Sequence, residues 1–246
     1  MRLAAIHRHP VKAFGYEELP RTVLRAGETL PWDRRWAIAH EAARLEGRRW
    51  VRCANFSRGA SSPALMAVRA SYDEASGRLT LTHPERQDLV VDPDAEGDAL
   101  LDWARPLVAE GRPAPARVVR AEGQGMTDAD RPHLSLHTDA SRAALAADLG
   151  RPISRHRFRG NLWIDGAEAW AENGWIGRDL HVGGAVLRVI EPIWRCRATE
   201  ADPETGVRDA DTMGAMKALV GDTTFGVYAE VVAGGEIGLG DAAALA

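Results

Sequence analysis

The chain has 246 residues, 45% hydrophobic and 27% charged, enough to bury a core in one large domain or two smaller ones. Its formal net charge of -4 offers no basic excess for nucleic acid, and no uninterrupted apolar stretch is long enough to span a membrane. The opening segment MRLAAIHRHPVKAF is basic but has no apolar run ahead of a small-residue cleavage site, so no secretory signal is expected and the cytoplasm is the expected location.

Short β elements are expected within the first 40 residues, at Leu3–Ile6, Thr22–Leu24 and Trp36–Ala39, punctuated by Gly15, Gly27 and Pro31. Residues 71–82 predict a hairpin, because Asp73–Gly77 supply a turn and Leu79 and Leu81 alternate with polar residues. Asp98 opens a helical period (Leu100, Leu101, Trp103, Ala104, Leu107, Val108) that stops before Gly111. Residues 111–131, rich in proline, glycine and charge, are expected to form a linker and a site loop. A second helix is expected over Asp139–Leu149, capped by Thr138 or Asp139 and closed by Gly150. Strands are expected at 155–164 and 180–190, a short helix over Asp211–Val220, and a last strand over Thr224–Val232. Many short strands with three helices predict a barrel-like α+β fold, predominantly β, rather than a Rossmann-type one.

Only Cys53 and Cys196 are cysteines, too few for a disulfide framework and without CxxC spacing. Cys53, within ValArgCysAlaAsnPhe, reads as core packing. Arg195 and Arg197 flank Cys196, and nearby positive charge favours a thiolate, a better metal ligand or nucleophile. A buried structural thiol is the alternative. Downstream, Asp202-Pro203-Glu204-Thr205-Gly206 is a β-turn signature. If 155–161 is a strand, Arg155, Arg157, Arg159 and Asn161 share one face. That row either meets an anion or carboxylates, or guards an exposed sheet edge. Of 31 basic residues only Lys12 and Lys217 are lysine, which singles out Lys12 of Pro10-Val11-Lys12 for its compact ammonium. His7, His9 and His137 lack zinc-site spacing, and neither GxGxxG nor GxSxG is complete.

Six segments occur together in an order that resembles the MOSC (molybdenum cofactor sulfurase C-terminal) family. They are ProValLys (10–12), AspArg (33–34), ArgPheArg-x-Asn (157–161), AlaGlu-x-x-Trp (171–175), ArgCys (195–196) and AspProGluThrGly (202–206). The pattern is similar to the amidoxime-reducing branch of that family and spans essentially the whole chain. The resemblance implies an N-terminal MOSC-type β-barrel region over 1–110, a MOSC domain over 111–246, and a molybdenum cofactor between them. It implies that Cys196 ligates the metal and acts in catalysis, and that Lys12, Arg34, Arg157, Arg159, Asn161 and Arg195 hold the anionic pterin. The implied activity is reduction of N-hydroxylated or N-oxygenated small molecules with electrons from a separate protein. A carrier of sulfurated cofactor without turnover is the alternative. Three positions depart from the family pattern: Gly160 stands for a proline, Ala13 for a serine, and Ala198-Thr199-Glu200 for a segment that often carries a threonine pair.

Overall fold

The computed structural model describes residues 1–45 and 50–246. In chain order its first half contains β1 (Arg2–Arg8), β2 (Glu17–Glu18), β3 (Arg21–Leu24), β4 (Trp36–His40), β5 (Arg69–Asp73), β6 (Arg78–His83), β7 (Arg86–Val91), α1 (Gly97–Ala104) and β8 (Pro115–Arg120). The second half contains β9 (Leu134–Thr138), α2 (Asp139–Asp148), β10 (Leu162–Asp165), β11 (Asp179–Val182), β12 (Ala185–Trp194), α3 (Thr212–Val220), β13 (Thr224–Ala233), β14 (Gly235–Gly238) and β15 (Ala243–Leu245). The predominantly β, barrel-like expectation holds, with three short α-helices among the described residues.

The main sheet has eight strands in the order β15-β11-β12-β13-β9-β10-β1-β2. Of its two first-half members, β2 forms the edge, and β1 pairs antiparallel with β10 from Arg2 opposite Asp165 to Ile6 opposite Leu162; β10 lies parallel to β9. The chain's first strand is therefore built into a sheet made mostly by residues 134–245. Inward side chains of this curled sheet, among them Leu3, Ile6, Leu136, Leu162, Val189 and Val227, form one core. A second core lies under β4, the β5–β7 meander and α1, and includes Val11, Phe14, Trp36, Leu79, Leu100 and Trp103. A third, with Leu145, Phe158, Trp163, Met216 and Phe225, joins α2 and α3 to the back of the sheet.

Helix ends follow the sequence closely. The Thr138 hydroxyl accepts from the Ser141 backbone N–H, and the Asp211 carboxylate accepts from Gly214 N–H. Gly221 ends α3 in the left-handed region at φ 86°. Helix α1 starts at Gly97, one residue before Asp98, so Glu96 occupies the cap and Asp98 lies in the first turn.

Three expectations are corrected. Residues 155–164 are not one strand: Arg155–Phe158 form a 3-10 turn capped by Ser154, Arg159 is left-handed at φ 48°, and only Leu162–Asp165 are extended. The arginines therefore do not share a face. Residues 180–190 are two strands of a hairpin, broken where Gly183 takes a positive φ of 51°. The expected linker at 111–131 contains β8, because Val118 and Val119 pair with Ile38 and Ala37 of β4. That pairing overrides the local proline and glycine signal.

Candidate functional site

A solvent-open cleft of about 330 Å³ runs between the end of β12, the turn before β10, the β1–β2 connection and the loop after β4. Lys12, Arg34, Arg157, Arg159, Arg195 and Cys196 all line it. Asn161 lies in a small adjoining recess with Arg34, Asp128, Ser135 and Tyr228. Elements far apart in the chain thus bring together all seven residues singled out by the motifs, while Arg155 points elsewhere and pairs with Asp139.

Arg34, Lys12 and Arg157 carry carboxylate partners. Asp33 accepts from the His9 backbone N–H at 2.8 Å, lies 3.3 Å from the His9 ring and binds Arg34 directly. Burial opposes the Asp33 charge, but Arg34 and His9 outweigh it and hold this carboxyl well below the usual range. Lys12 spends its ammonium on Met126 O (2.8 Å), Thr127 O (3.3 Å) and Asp128 (2.5 Å). Arg157 is clamped by Asp202 at 3.0 Å and Asp209 at 2.7 Å, which ties the turn before β10 to the loop after Cys196. Asn161 is a cross-link: its carbonyl oxygen accepts from Ser135 N–H and Oγ–H on β9, and its amide donates to His7 O on β1.

Arg159 and Arg195 are different. Arg159 donates to Gly15 O at 3.0 Å and Val11 O at 3.4 Å, and it accepts at its own carbonyl from Arg34. Arg195 donates to Phe225 O, to Phe158 O at 2.9 Å and to the His137 ring. Neither guanidinium meets a carboxylate among the described residues. Burial, with Arg34 close by, pushes Arg159 down to about 9, and burial pushes Arg195 down to about 10. Both still carry a full charge at neutral pH, so the floor of the cleft presents two cations that lack counter-charge.

The His137 imidazole shapes this floor. Burial, then Arg195, drives its pKa well below the ordinary value, so it is neutral. Since Arg195 can only donate, Nε2 accepts and the ring proton sits on Nδ1. A Cβ at Gly160 would come within 2.3 Å of this ring, and one at Gly226 within 2.5 Å. A side chain at position 160, a proline included, would collide with the histidine packed there.

Cys196 follows Arg195 where β12 ends and is exposed. Its carbonyl accepts from Thr199 N–H and Oγ–H, each at 3.2 Å, and Thr199 is joined to Thr212 of α3, so the turn leaving the thiol is braced. Trp194, 68% exposed, stands beside it. Ala13, Arg34 and Arg159 all line the cleft with positive φ (64°, 51° and 48°), and such non-glycine strain of order 1–3 kcal/mol each gathers at functional sites. Sequence reasoning missed Asp128 and Tyr228. Burial and the facing Asp128 raise Tyr228 to about 12, so its hydroxyl keeps its proton. It also placed Cys53 in the core, whereas the structure puts this second thiol on the cleft wall beside Arg58. Nothing local in ValArgCysAlaAsnPhe marks that position.

Comparison with known proteins adds identity to this geometry. A model of the MOSC domain matches residues 124–244, and a model of the MOSC N-terminal beta barrel domain matches residues 1–105. The human mitochondrial amidoxime-reducing component 1 is 34% identical over 70 residues, which cover 28% of this chain and 20% of that protein. The component 2 of Macaca fascicularis is 33% identical over 76 residues, 31% of this chain and 22% of its own length. The matched stretch thus spans about a fifth of these relatives. Among solved structures, the YUAD protein of Bacillus subtilis aligns over 98% of this chain and 92% of its own, at TM-score 0.47 and 11% identity. YiiM of Geobacillus stearothermophilus aligns over 46% of this chain and 53% of its own, at TM-score 0.35 and 17% identity.

Proposed function

Because the chain belongs to the MOSC family, carrying the N-terminal beta barrel domain ahead of the MOSC domain, we propose that it is a molybdenum-cofactor oxidoreductase that reduces N-hydroxylated or related N-oxygenated compounds. The observation that carries this reading is the convergence of Arg159 and Arg195, cations without carboxylate partners, with the exposed thiol of Cys196 on one cleft. That donor set fits an anionic pterin bearing a metal that accepts sulfur ligation. The cofactor would supply two-electron redox chemistry at the metal.

In this reading the protein binds, orients and shields. Cys196 gives the thiolate ligand at the end of a braced strand, so its Sγ is fixed relative to the floor. Arg159 and Arg195 would hold the anionic groups of the pterin, and their desolvation would make each contact stronger than at an exposed surface. Arg34 lends charge from the side, already oriented by Asp33. Lys12 contributes after Asp128 swings away, because all three ammonium protons are otherwise taken. Arg157 and Asn161 act as braces that set the spacing of the turn and of β9 against β1. Tyr228 offers a hydroxyl donor to whatever sits over the recess. Electrons would come from a separate protein. Among the described residues, no helix is long and apolar enough to cross a membrane.

Purification after expression with molybdate, followed by metal and pterin analysis and a turnover assay with a reduced viologen dye, tests this. Molybdenum near one per chain and dye-driven reduction of an amidoxime, lost in Cys196→Ala, are the expected results. Protein without molybdenum, or Cys196→Ala at the normal rate, overturns the proposal. Molybdenum retained with no turnover points instead to a cofactor carrier.

A further inference from the structure

A second cluster of potential ligands lies outside the cleft. His7 on β1 stands opposite Glu18 on β2 in register, and the turn before β10 carries His156 to the same place. One ligand atom from each lies within 4.8 Å of the others. His156 Nε2 is 3.2 Å and His7 Nε2 is 3.8 Å from the same Glu18 oxygen. His7 is 1% exposed, and among the described residues its Nε2 makes no hydrogen bond, nor does Nδ1 of His156. A buried imidazole with unmade hydrogen bonds costs about 1–3 kcal/mol, which a fold tolerates where something else uses the lone pair.

We propose that His7, Glu18 and His156 form a site for a divalent transition metal, best suited to Zn2+, that clasps the β1–β2 hairpin to the turn bearing Arg157 and Arg159. Two imidazole nitrogens are borderline donors, and with one carboxylate oxygen they favour zinc over calcium or magnesium, which take all-oxygen sites. Bond lengths of about 2.0–2.1 Å in a tetrahedral zinc site put ligand atoms about 3.3 Å apart. The 3.2 Å edge already matches, and closing the 3.8 Å edge takes a small movement of Glu18, whose side chain is 70% exposed. Closing the His7–His156 edge, which lies within 4.8 Å, takes a small shift of the His156 ring. The fourth position opens to solvent beside Glu18.

Both rings are ready to coordinate. Burial, then His156 and Arg155, lowers His7 to about 3. Burial, opposed by Glu18, lowers His156 to about 4. Both therefore keep a free lone pair at neutral pH. The surrounding charges are Arg155 in the same turn, paired with Asp139 of α2; Arg69 of β5, paired at 2.6 Å with Glu204 of the turn after Cys196; and Glu18 of β2 itself. Each arginine is paired with a carboxylate that offsets part of its field, and Glu18 supplies the negative charge facing both rings. Tyr16 stacks on His156 with centroids 3.7 Å apart and fixes the ring plane. The loop between His7 and Glu18 carries Lys12 and Ala13, and Arg159 lies just past His156, so a metal here would hold two walls of the cleft at a fixed separation.

Zinc binding is measured on the full chain with Cys53 and Cys196 both changed to serine, which removes thiol binding and the molybdenum site together. After chelator washing, competition with a chromophoric chelator should report one zinc per chain, and zinc should raise the melting temperature. Glu18→Gln, at an exposed position that leaves folding unaffected, and His156→Gln should each weaken binding by about tenfold or more. Co2+ in the same site should give the intense visible bands of a four-coordinate ion. Failure of the thiol-free chain to retain zinc, or unchanged affinity in Glu18→Gln/His156→Gln, overturns the proposal. Because the molybdenum ligand is absent throughout, either result is independent of the cofactor reading.

Discussion

The two halves of the cleft wall hold their cations in opposite ways. On one side Arg34, Lys12 and Arg157 are matched with Asp33, Asp128 and the Asp202–Asp209 pair. On the other, Arg159 and Arg195 are buried against main-chain carbonyls and one neutral histidine. A buried ion pair is complete within the protein and acts as structure. A buried cation solvated only by carbonyls is oriented but not neutralised, and its charge is left for a ligand. Composition shows arginines everywhere in this chain; the partner, rather than the residue type, separates framework from binding surface.

The sharpest break of this contrast is at Asp33. Asp33→Ala leaves Arg34 uncompensated at a side chain only 15% exposed, and should cost about 3–5 kcal/mol in urea unfolding. Arg157→Met should follow at about 3 kcal/mol, at the low end because Asp202 and Asp209 are each about a quarter exposed and regain water. Arg159→Gln should behave in the reverse sense. The amide still donates to a carbonyl, so cofactor-free stability should move by less than about 1 kcal/mol. Cofactor retention should fall by roughly ten- to a hundredfold, the loss of a charge-assisted contact worth about 1.5–3 kcal/mol. If Arg159→Gln unfolds the protein as Asp33→Ala does, the division between framework and binding cations fails.

Much of this was legible in the sequence, and unevenly. Helix caps at Thr138 and Asp211 are local hydrogen bonds between a side chain and a backbone group two or three residues on, so spacing alone reveals them. The cleft residues were found through motif order, because each sits where the chain turns sharply. The face shared by Arg155, Arg157 and Arg159 was not there to be found. Asp202 and Asp209, distant in sequence, draw Arg157 inward, and the left-handed Arg159 ends any period of two. Likewise Tyr228 and Asp128 meet the cleft only after β13 is placed beside β9. The departure at Gly160 becomes intelligible only with His137 packed on it.

That packing supplies a smaller test within the uncompensated half. Gly160→Ala places a methyl about where the His137 ring lies, so the ring or the turn must move, at roughly 1–3 kcal/mol. His137→Ala added to it should recover part of that loss, because the clash has gone. Cofactor retention should not recover, since Arg195 has lost the acceptor that aims it. Additive stability losses in the double variant would show that Gly160 and His137 are not a matched pair.

The smallest effect expected is acid sensitivity from Asp128, and it belongs to the compensated half. Crowding around this carboxyl works to raise its pKa, but Lys12, then Arg34 and Arg195, bring it down to about 2. A carboxyl lower in the folded than in the unfolded chain stabilises fully above about pH 4, and that contribution fades as pH falls from there towards 2. The side chain is 64% exposed, so solvent screening keeps the gain below about 1 kcal/mol. Asp128→Asn should therefore flatten the stability profile slightly between pH 4 and 2 without changing it at pH 7 by more than that amount. The same variant frees one proton of Lys12 and removes a negative charge from the cleft mouth, so anion binding should tighten even as the acid response weakens. Tighter binding of inorganic phosphate to Asp128→Asn than to the parent chain, read by the rise in melting temperature, would show that Asp128 holds Lys12 in reserve. Unchanged phosphate binding would assign Lys12 wholly to the framework, with Arg159 and Arg195 left as the binding pair.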